Sequence, residues 1–186
     1  MRKLVVSNMI TLDGFLAGPN GEIDWHTVGE DFNDFAAKQL DEMDAILFGR
    51  VTYELMASYW PTPEALDTDP IIAKAMNGIS KIVFSQTLDK AIWENSRLVK
   101  GSTADEVAKL KAQSGKDMVI FGSGGLVSAL TKAGLIDEYR LFIAPVVLGE
   151  GLPMFRGIKS PVNLKLIRTQ TFENGLVLMV YEMVRE

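Results

Sequence analysis

Apolar residues along this chain fall into short runs separated by stretches with helical spacing. Residues 4–10, 45–48, 81–84, 118–121 and 139–144 are runs of strand length, most of them nearly continuous in apolar character. Strands that are apolar at successive positions are covered on both faces, as in a parallel sheet. Between them lie helix signals. Asp31, followed by Phe32, Phe35, Ala36, Leu40 and Met43, reads as an N-cap and an apolar stripe. Asp69-Pro70 opens a second stripe through Ile71, Ile72, Ala75 and Met76 that stops at Gly78, with proline in the first turn and glycine past the end. Thr103 and Glu106 form a capping box before Val107 and Leu110.

The style changes near the C-terminus. Residues 164–172 and 176–184 are extended runs joined by Glu173-Asn174-Gly175, and Asn-Gly between such runs signals a hairpin. Strand–helix alternation followed by a hairpin predicts an α/β protein. Its central sheet is mixed but mostly parallel, with an antiparallel C-terminal hairpin and helices on both faces. No repeat, linker or low-complexity tract divides the chain, so residues 1–186 read as one domain. Trp60-Pro61-Thr62-Pro63 reads as a loop.

Composition narrows the function. Lys and Arg number 19 against 24 Asp and Glu, a net charge of −5, and no segment gathers basic residues. Nucleic acid is therefore not expected as a partner. With no cysteine, disulfides, iron–sulfur clusters and thiolate zinc sites are excluded. His26 is the sole histidine and has no partner set, so no metal site is expected. The N-terminal apolar stretch is too short and too polar for a signal peptide, and no run approaches the ~18 residues of a membrane span. A cytoplasmic protein is expected.

Four segments can carry chemistry. Gly49-Arg50-Val51-Thr52 sits where a strand becomes a helix, and a helix N-terminus with an added guanidinium and hydroxyl suits phosphate. Ser85 closes a strand at the end of the sheet where ligands of open α/β folds bind. Gly122-Ser123-Gly124-Gly125-Leu126 is a strand, a glycine turn and a helix start, so backbone can approach a ligand closely there. It lacks the spacing of an ordinary dinucleotide fingerprint and the lysine of a P-loop. Residues 11–25 form a long glycine-containing loop with apolar anchors, a pattern that suits a lid. Each has a plain structural reading beside it: a capped helix, a turn serine, a packing turn, a surface loop.

Together and in this order, the pieces resemble the three-layer dihydrofolate reductase fold. Residues 18–25, ending in Trp25, resemble its substrate loop. Phe48-Gly49-Arg50-Val51-Thr52 resembles its cofactor motif, Val83-Phe84-Ser85 the strand meeting the adenosine 2′-phosphate, and Phe121-Gly122-Ser123-Gly124 its glycine turn. A closer resemblance is to the reductase domain of bacterial riboflavin biosynthesis, through Leu12-Asp13-Gly14, residues 135–141 and residues 144–151. The resemblance implies an NADPH-dependent reductase acting on a small pterin- or pyrimidine-like molecule. It implies that Ala17, Gly49, Arg50, Thr52, Ser85, Gly122, Ser123, Gly124, Gly125 and Leu126 contact the cofactor. Trp25 and Phe35 would contact the substrate.

Hydride transfer to a C=N bond needs a proton at nitrogen, usually from an acid whose pKa is raised by an apolar pocket. Asp13 and Asp31 are the two candidates. Asp13 also reads as a turn residue before Gly14, and Asp31 as a helix cap. The same resemblance implies a homodimer, with Met179, Tyr181 and Met183 offering an apolar face. A cofactor-binding protein without turnover is the alternative.

Overall fold

The structure, a computed structural model, describes residues 1–185. In chain order the elements are β1 (Leu4–Thr11), β2 (Phe15–Ala17), α1 (Glu30–Asp41), β3 (Met43–Gly49), α2 (Arg50–Tyr59), α3 (Pro63–Thr68), α4 (Pro70–Gly78), β4 (Ser80–Phe84), β5 (Ser96–Val99), α5 (Thr103–Ala112), β6 (Asp117–Ile120), α6 (Gly124–Lys132), β7 (Glu138–Ala144), β8 (Leu152–Pro153), β9 (Leu164–Thr171) and β10 (Val177–Met183). Eight strands form one sheet in the order β5-β4-β3-β6-β1-β7-β10-β9. The six from β5 to β7 run parallel. The β9–β10 hairpin joins β7 antiparallel. The predicted α/β, mostly parallel sheet with an antiparallel hairpin is the observed one.

Alternation along the strands builds two layers of core. Leu4, Val6, Ala45, Leu47, Met118 and Ile120 face α5 and α6. Their neighbours Val5, Ile46, Phe48 and Val119 face the other side, with Tyr53, Met76 and Trp93. A third cluster packs Phe32 and Phe35 of α1 on Phe142, Phe172, Leu178 and Val180 at the hairpin end. These strands are apolar on both faces because helices lie on both faces.

Several boundaries differ from the pattern. Met43 opens β3 rather than closing the stripe of α1, because the helix ends at Asp41. The N-cap of α1 is Gly29, and Asp31 lies inside the first turn. Ser102, not Thr103, caps α5, accepting from the Asp105 N–H. Thr62 caps a short helix where a loop was expected, and Pro63 begins it. The hairpin lies as predicted, but its last strand is interior: β9 forms the edge. β2, β5 and β8 are two to four residues long, too short for a periodicity to register.

Lys81 is fully buried beneath α4. Its ammonium donates to the carbonyls of Met76 (2.7 Å), Asn77 (3.1 Å) and Ile79 (2.7 Å), closing the C-terminal end of the helix. It also lies 4.4 Å from the Trp93 ring centroid. Burial pushes its pKa down to about 8, with Glu94 opposing. Three carbonyls and an aromatic face replace the water that burial removes. Lys81→Met is expected to lower stability by about 2 kcal/mol, since the carbonyls lose a charged donor. The urea midpoint checks this.

Candidate cofactor and substrate site

The parallel strands end together. Thr11 of β1 lies opposite Ala144 of β7, and Gly49 of β3 opposite Phe84 of β4. This is the sheet edge at which open α/β folds bind ligands. Two of the predicted segments meet there as one hydrogen-bonded unit. The Gly49 N–H donates to the Ser123 hydroxyl oxygen at 2.7 Å. The Ser123 N–H donates to the Thr52 hydroxyl oxygen at 2.9 Å. Asn8, buried in β1, grips the turn from below: its carbonyl oxygen accepts from the Gly122 N–H at 2.6 Å, and its amide donates to the Gly122 carbonyl at 3.2 Å.

The turn needs this support. Gly122 has φ +64° and Ser123 φ +53°, and the left-handed region costs a non-glycine residue about 1 kcal/mol. The Gly122–Ser123 bond is trans. A Cβ on Gly122 would stand 2.7 Å from the Thr52 methyl, and one on Gly124 would stand 2.9 Å from Leu16. At Gly125 the space is open.

The result is two helix N-termini held side by side. The N–H groups of Gly124, Gly125 and Leu126 find no carbonyl partner among the described residues. The first turn of α2 is capped by no side chain. Free N–H groups and converging dipoles suit a pyrophosphate, and the open space at Gly125 leaves it room.

On the β4 side of this turn lies a cavity of about 580 Å³ lined by Arg50, Glu54, Thr87, Leu88, Asp89 and Lys90. Arg50 thus borders a groove. Thr52 turns instead toward Ser123. The Ser85 hydroxyl oxygen accepts from the N–H groups of Thr87 (3.1 Å) and Leu88 (2.9 Å), so it shapes the groove wall.

On the β1 side, Asp13 is a clamp. It accepts from the Thr11 hydroxyl at 2.6 Å, from the Gly149 N–H at 2.8 Å and from the Leu148 N–H at 3.3 Å. The Thr11 hydroxyl first, then those backbone donors, hold its carboxyl below the usual range. That is the reverse of the raised pKa expected of an acid catalyst. The clamp joins the loop before β8 to the end of β1, and β2 pairs antiparallel with β8 to form a small ribbon. The ribbon, containing Ala17, crosses the start of α6, and so Gly124 is hemmed in by Leu16 and by the carbonyls of Pro153 and Met154.

The remaining predicted residues gather at the hairpin. Asp31 accepts from the Phe32 N–H and from the Glu173 N–H, both at 2.9 Å, tying α1 to the hairpin turn. Phe35 packs edge-on against Phe142 at 5.4 Å, with the Arg168 guanidinium 5.9 Å from its ring. Its ring is partly buried in this aromatic cluster. Trp25 is half-buried and lies edge-on to His26 at 4.3 Å. Trp25 Nε1 and His26 Nε2 are buried without a protein partner. Burial lowers the His26 pKa and keeps the imidazole neutral near pH 7.

Asn8, Thr11 and Lys90 went unpredicted. Asn8 carried a signal, as a lone amide within an apolar strand. Lys90 carried none, being one exposed lysine in a loop. Among the described residues, no cluster of His, Asp and Glu could hold a metal ion, and no helix is long and apolar enough to cross a membrane.

The chain belongs to the family of the RibD C-terminal domain, whose model matches residues 2–178. It is 40% identical over 182 residues to the uncharacterized protein YyaP of Bacillus subtilis (strain 168), covering 97% of this chain and 94% of that one. Among solved structures it is similar to a diaminohydroxyphosphoribosylaminopyrimidine deaminase/5-amino-6-(5-phosphoribosylamino)uracil reductase from Thermotoga maritima. That match has TM-score 0.69 and 16% identity, over 98% of this chain and 57% of that one. It is also similar to dihydrofolate reductase from Enterococcus faecalis complexed with NADP(H) and RAB-propyl, with TM-score 0.65 and 18% identity over 97% and 96% of the two chains. The fold is thus dihydrofolate-reductase-like.

The two aspartates are expected to respond differently. Asp31→Ala loses about 1 kcal/mol through two backbone donors left without a charged acceptor. Asp13→Ala frees the loop before β8, and amide exchange at Leu148 and Gly149 quickens about tenfold or more. Urea unfolding and residue-resolved hydrogen exchange check the pair.

Proposed function

We propose that the protein is an NADPH-dependent reductase of a small heterocyclic substrate of the pterin or pyrimidine kind. The observation that carries the reading is the unit of Asn8, Gly49, Thr52, Gly122 and Ser123, which presents two uncapped helix N-termini at the strand ends. Membership of the RibD C-terminal domain family supports it. So does the NADP(H) complex of the Enterococcus enzyme that shares the fold.

The pyrophosphate would lie on the N–H groups of Gly124, Gly125 and Leu126. Arg50 and Lys90, the cations of the groove toward β4, would hold the adenosine phosphate end. The nicotinamide end would then lie toward β1, Asp13 and the ribbon. When bound, the dinucleotide supplies the hydride. Asp13 fixes the loop beside that hydride and keeps its own negative charge.

One observation favours a second reading, a cofactor-binding protein without turnover. Asp13 is held below the usual carboxylate range and keeps its charge, and Asp31 is spent on the backbone N–H groups of Phe32 and Glu173. Turnover with pterins, folates or ribitylamino-pyrimidines decides between the readings.

We also propose a homodimer. α5 and α6 cover the parallel part of one sheet face and its hairpin end only in part. Ile143, Val177, Met179 and Tyr181 are half-exposed there, and their neighbour Leu166 is exposed. The β9 edge carries Lys165 and Arg168 and a register break opposite Val180 and Tyr181, features that discourage edge pairing. A second copy laid face to face would bury the apolar surface. Sedimentation at micromolar concentration should show a species of twice the 20.5 kDa chain, and only the single-chain mass would refute this.

Titration by NADPH fluorescence tests the main reading. Wild type should bind NADPH more tightly than NADH. Arg50→Ala should weaken NADPH about ten- to a hundredfold through loss of one charge-assisted contact and leave NADH little changed. Equal affinities in the wild type would refute the preference.

A further inference from the structure

The groove beside α2 contains carboxylates where a phosphate-binding site would hold only cations. Arg50 Nη1 lies 2.8 Å from Glu54 Oε2, and both side chains are nearly half-exposed. Asp89 and Lys90 face the same space. The four charges sum to zero. An exposed i,i+4 pair adds only a few tenths of a kcal/mol to a helix. Its consequence here concerns what Arg50 can bind.

A phosphomonoester brings close to two negative charges. Glu54 takes one of the five N–H donors of Arg50, so a phosphate held by the others sits beside that carboxylate unless it displaces it. An uncharged ribose 2′-hydroxyl meets the opposite situation. It can donate to Glu54, leaving the Arg50 pair undisturbed; carboxylates serve this purpose in NAD sites and arginines in NADP sites. The groove offers both groups on one helix turn.

We propose that Glu54 sets the discrimination between phosphorylated and unphosphorylated adenosine ribose, by competing with the 2′-phosphate for Arg50. The groove then accepts both dinucleotides, with a preference for NADPH that Glu54 holds down. This rests on the reading that the groove receives the adenosine end of a dinucleotide.

The test is binding rather than turnover. Wild type and Glu54→Gln are titrated by calorimetry with NADPH, NADH, adenosine 2′,5′-bisphosphate and adenosine 5′-monophosphate. Glu54→Gln should tighten NADPH and the bisphosphate about tenfold at low salt, as expected for one carboxylate withdrawn from near a doubly charged phosphate. NADH and the monophosphate should stay within about twofold or weaken, because glutamine retains an oxygen acceptor. The gain should shrink as salt rises from about 0.05 to about 0.5 M, where screening shortens. The melting temperature should not move, since the pair is exposed. If Glu54→Gln binds all four ligands in the wild-type ratios, the inference is overturned and the dinucleotide reading stands. If it loosens NADPH, Glu54 orders Arg50 for phosphate and the inference is likewise overturned. If wild type binds neither dinucleotide, the inference and the reading fall together.

Discussion

Two hydrogen bonds between the Asn8 amide and the Gly122 peptide anchor everything the candidate site does. Asn8 is buried in an interior strand of the sheet, so the bonds are made where water does not compete. They hold Gly122 in a left-handed conformation. That conformation turns Ser123 so that its N–H meets Thr52 and its hydroxyl meets Gly49. Only then do the first N–H groups of α6 stand beside the start of α2. The sheet, through one amide, sets the geometry of a loop that has no regular structure of its own.

Much of the fold was legible because burial on both faces writes itself into composition. Five parallel strands appeared as near-continuous apolar runs, and Asn174-Gly175 marked the hairpin. The short strands were not legible. β2 and β8 exist because Asp13 brings two loops together, and no local pattern encodes a contact between residues 13 and 149. Helix starts slipped by one or two residues because several polar residues in a row can cap, and packing chooses among them. At the site, the Gly49 and Gly122 segments were each recognisable, but their union was not: the Thr52 hydroxyl, read as a phosphate donor, also accepts from the Ser123 N–H and so braces the turn. Asp13 and Asp31 looked like acids. In the structure each collects backbone N–H groups, which short carboxylates do at turns and helix starts. Phe35 packs into an aromatic cluster while staying partly exposed, which its sequence position did not reveal.

The site is divided by charge and by rigidity. Toward β4 lies a polar groove of balanced charges on an exposed helix turn, whose side chains can rearrange. Toward β1 lies a clamped ribbon seated on the start of α6. Position 124 is the contact between the halves, because a Cβ there would displace the Leu16 side chain and press on the carbonyls of Pro153 and Met154. A substitution in the ribbon therefore reaches the glycine turn by direct packing.

The bonds that build the site span great distances along the chain. Asn8 and Gly122 are 114 residues apart, Gly49 and Ser123 are 74, and Asp13 and Gly149 are 136. Contacts of such separation form late, after the intervening chain has collapsed. While the protein is being synthesised, β1 waits without its partners until β6 and β7 have emerged, and no chain that ends before Leu126 contains the whole cradle for an anion. An anion at this turn would therefore report that β1, β3 and β6, far apart in sequence, have met.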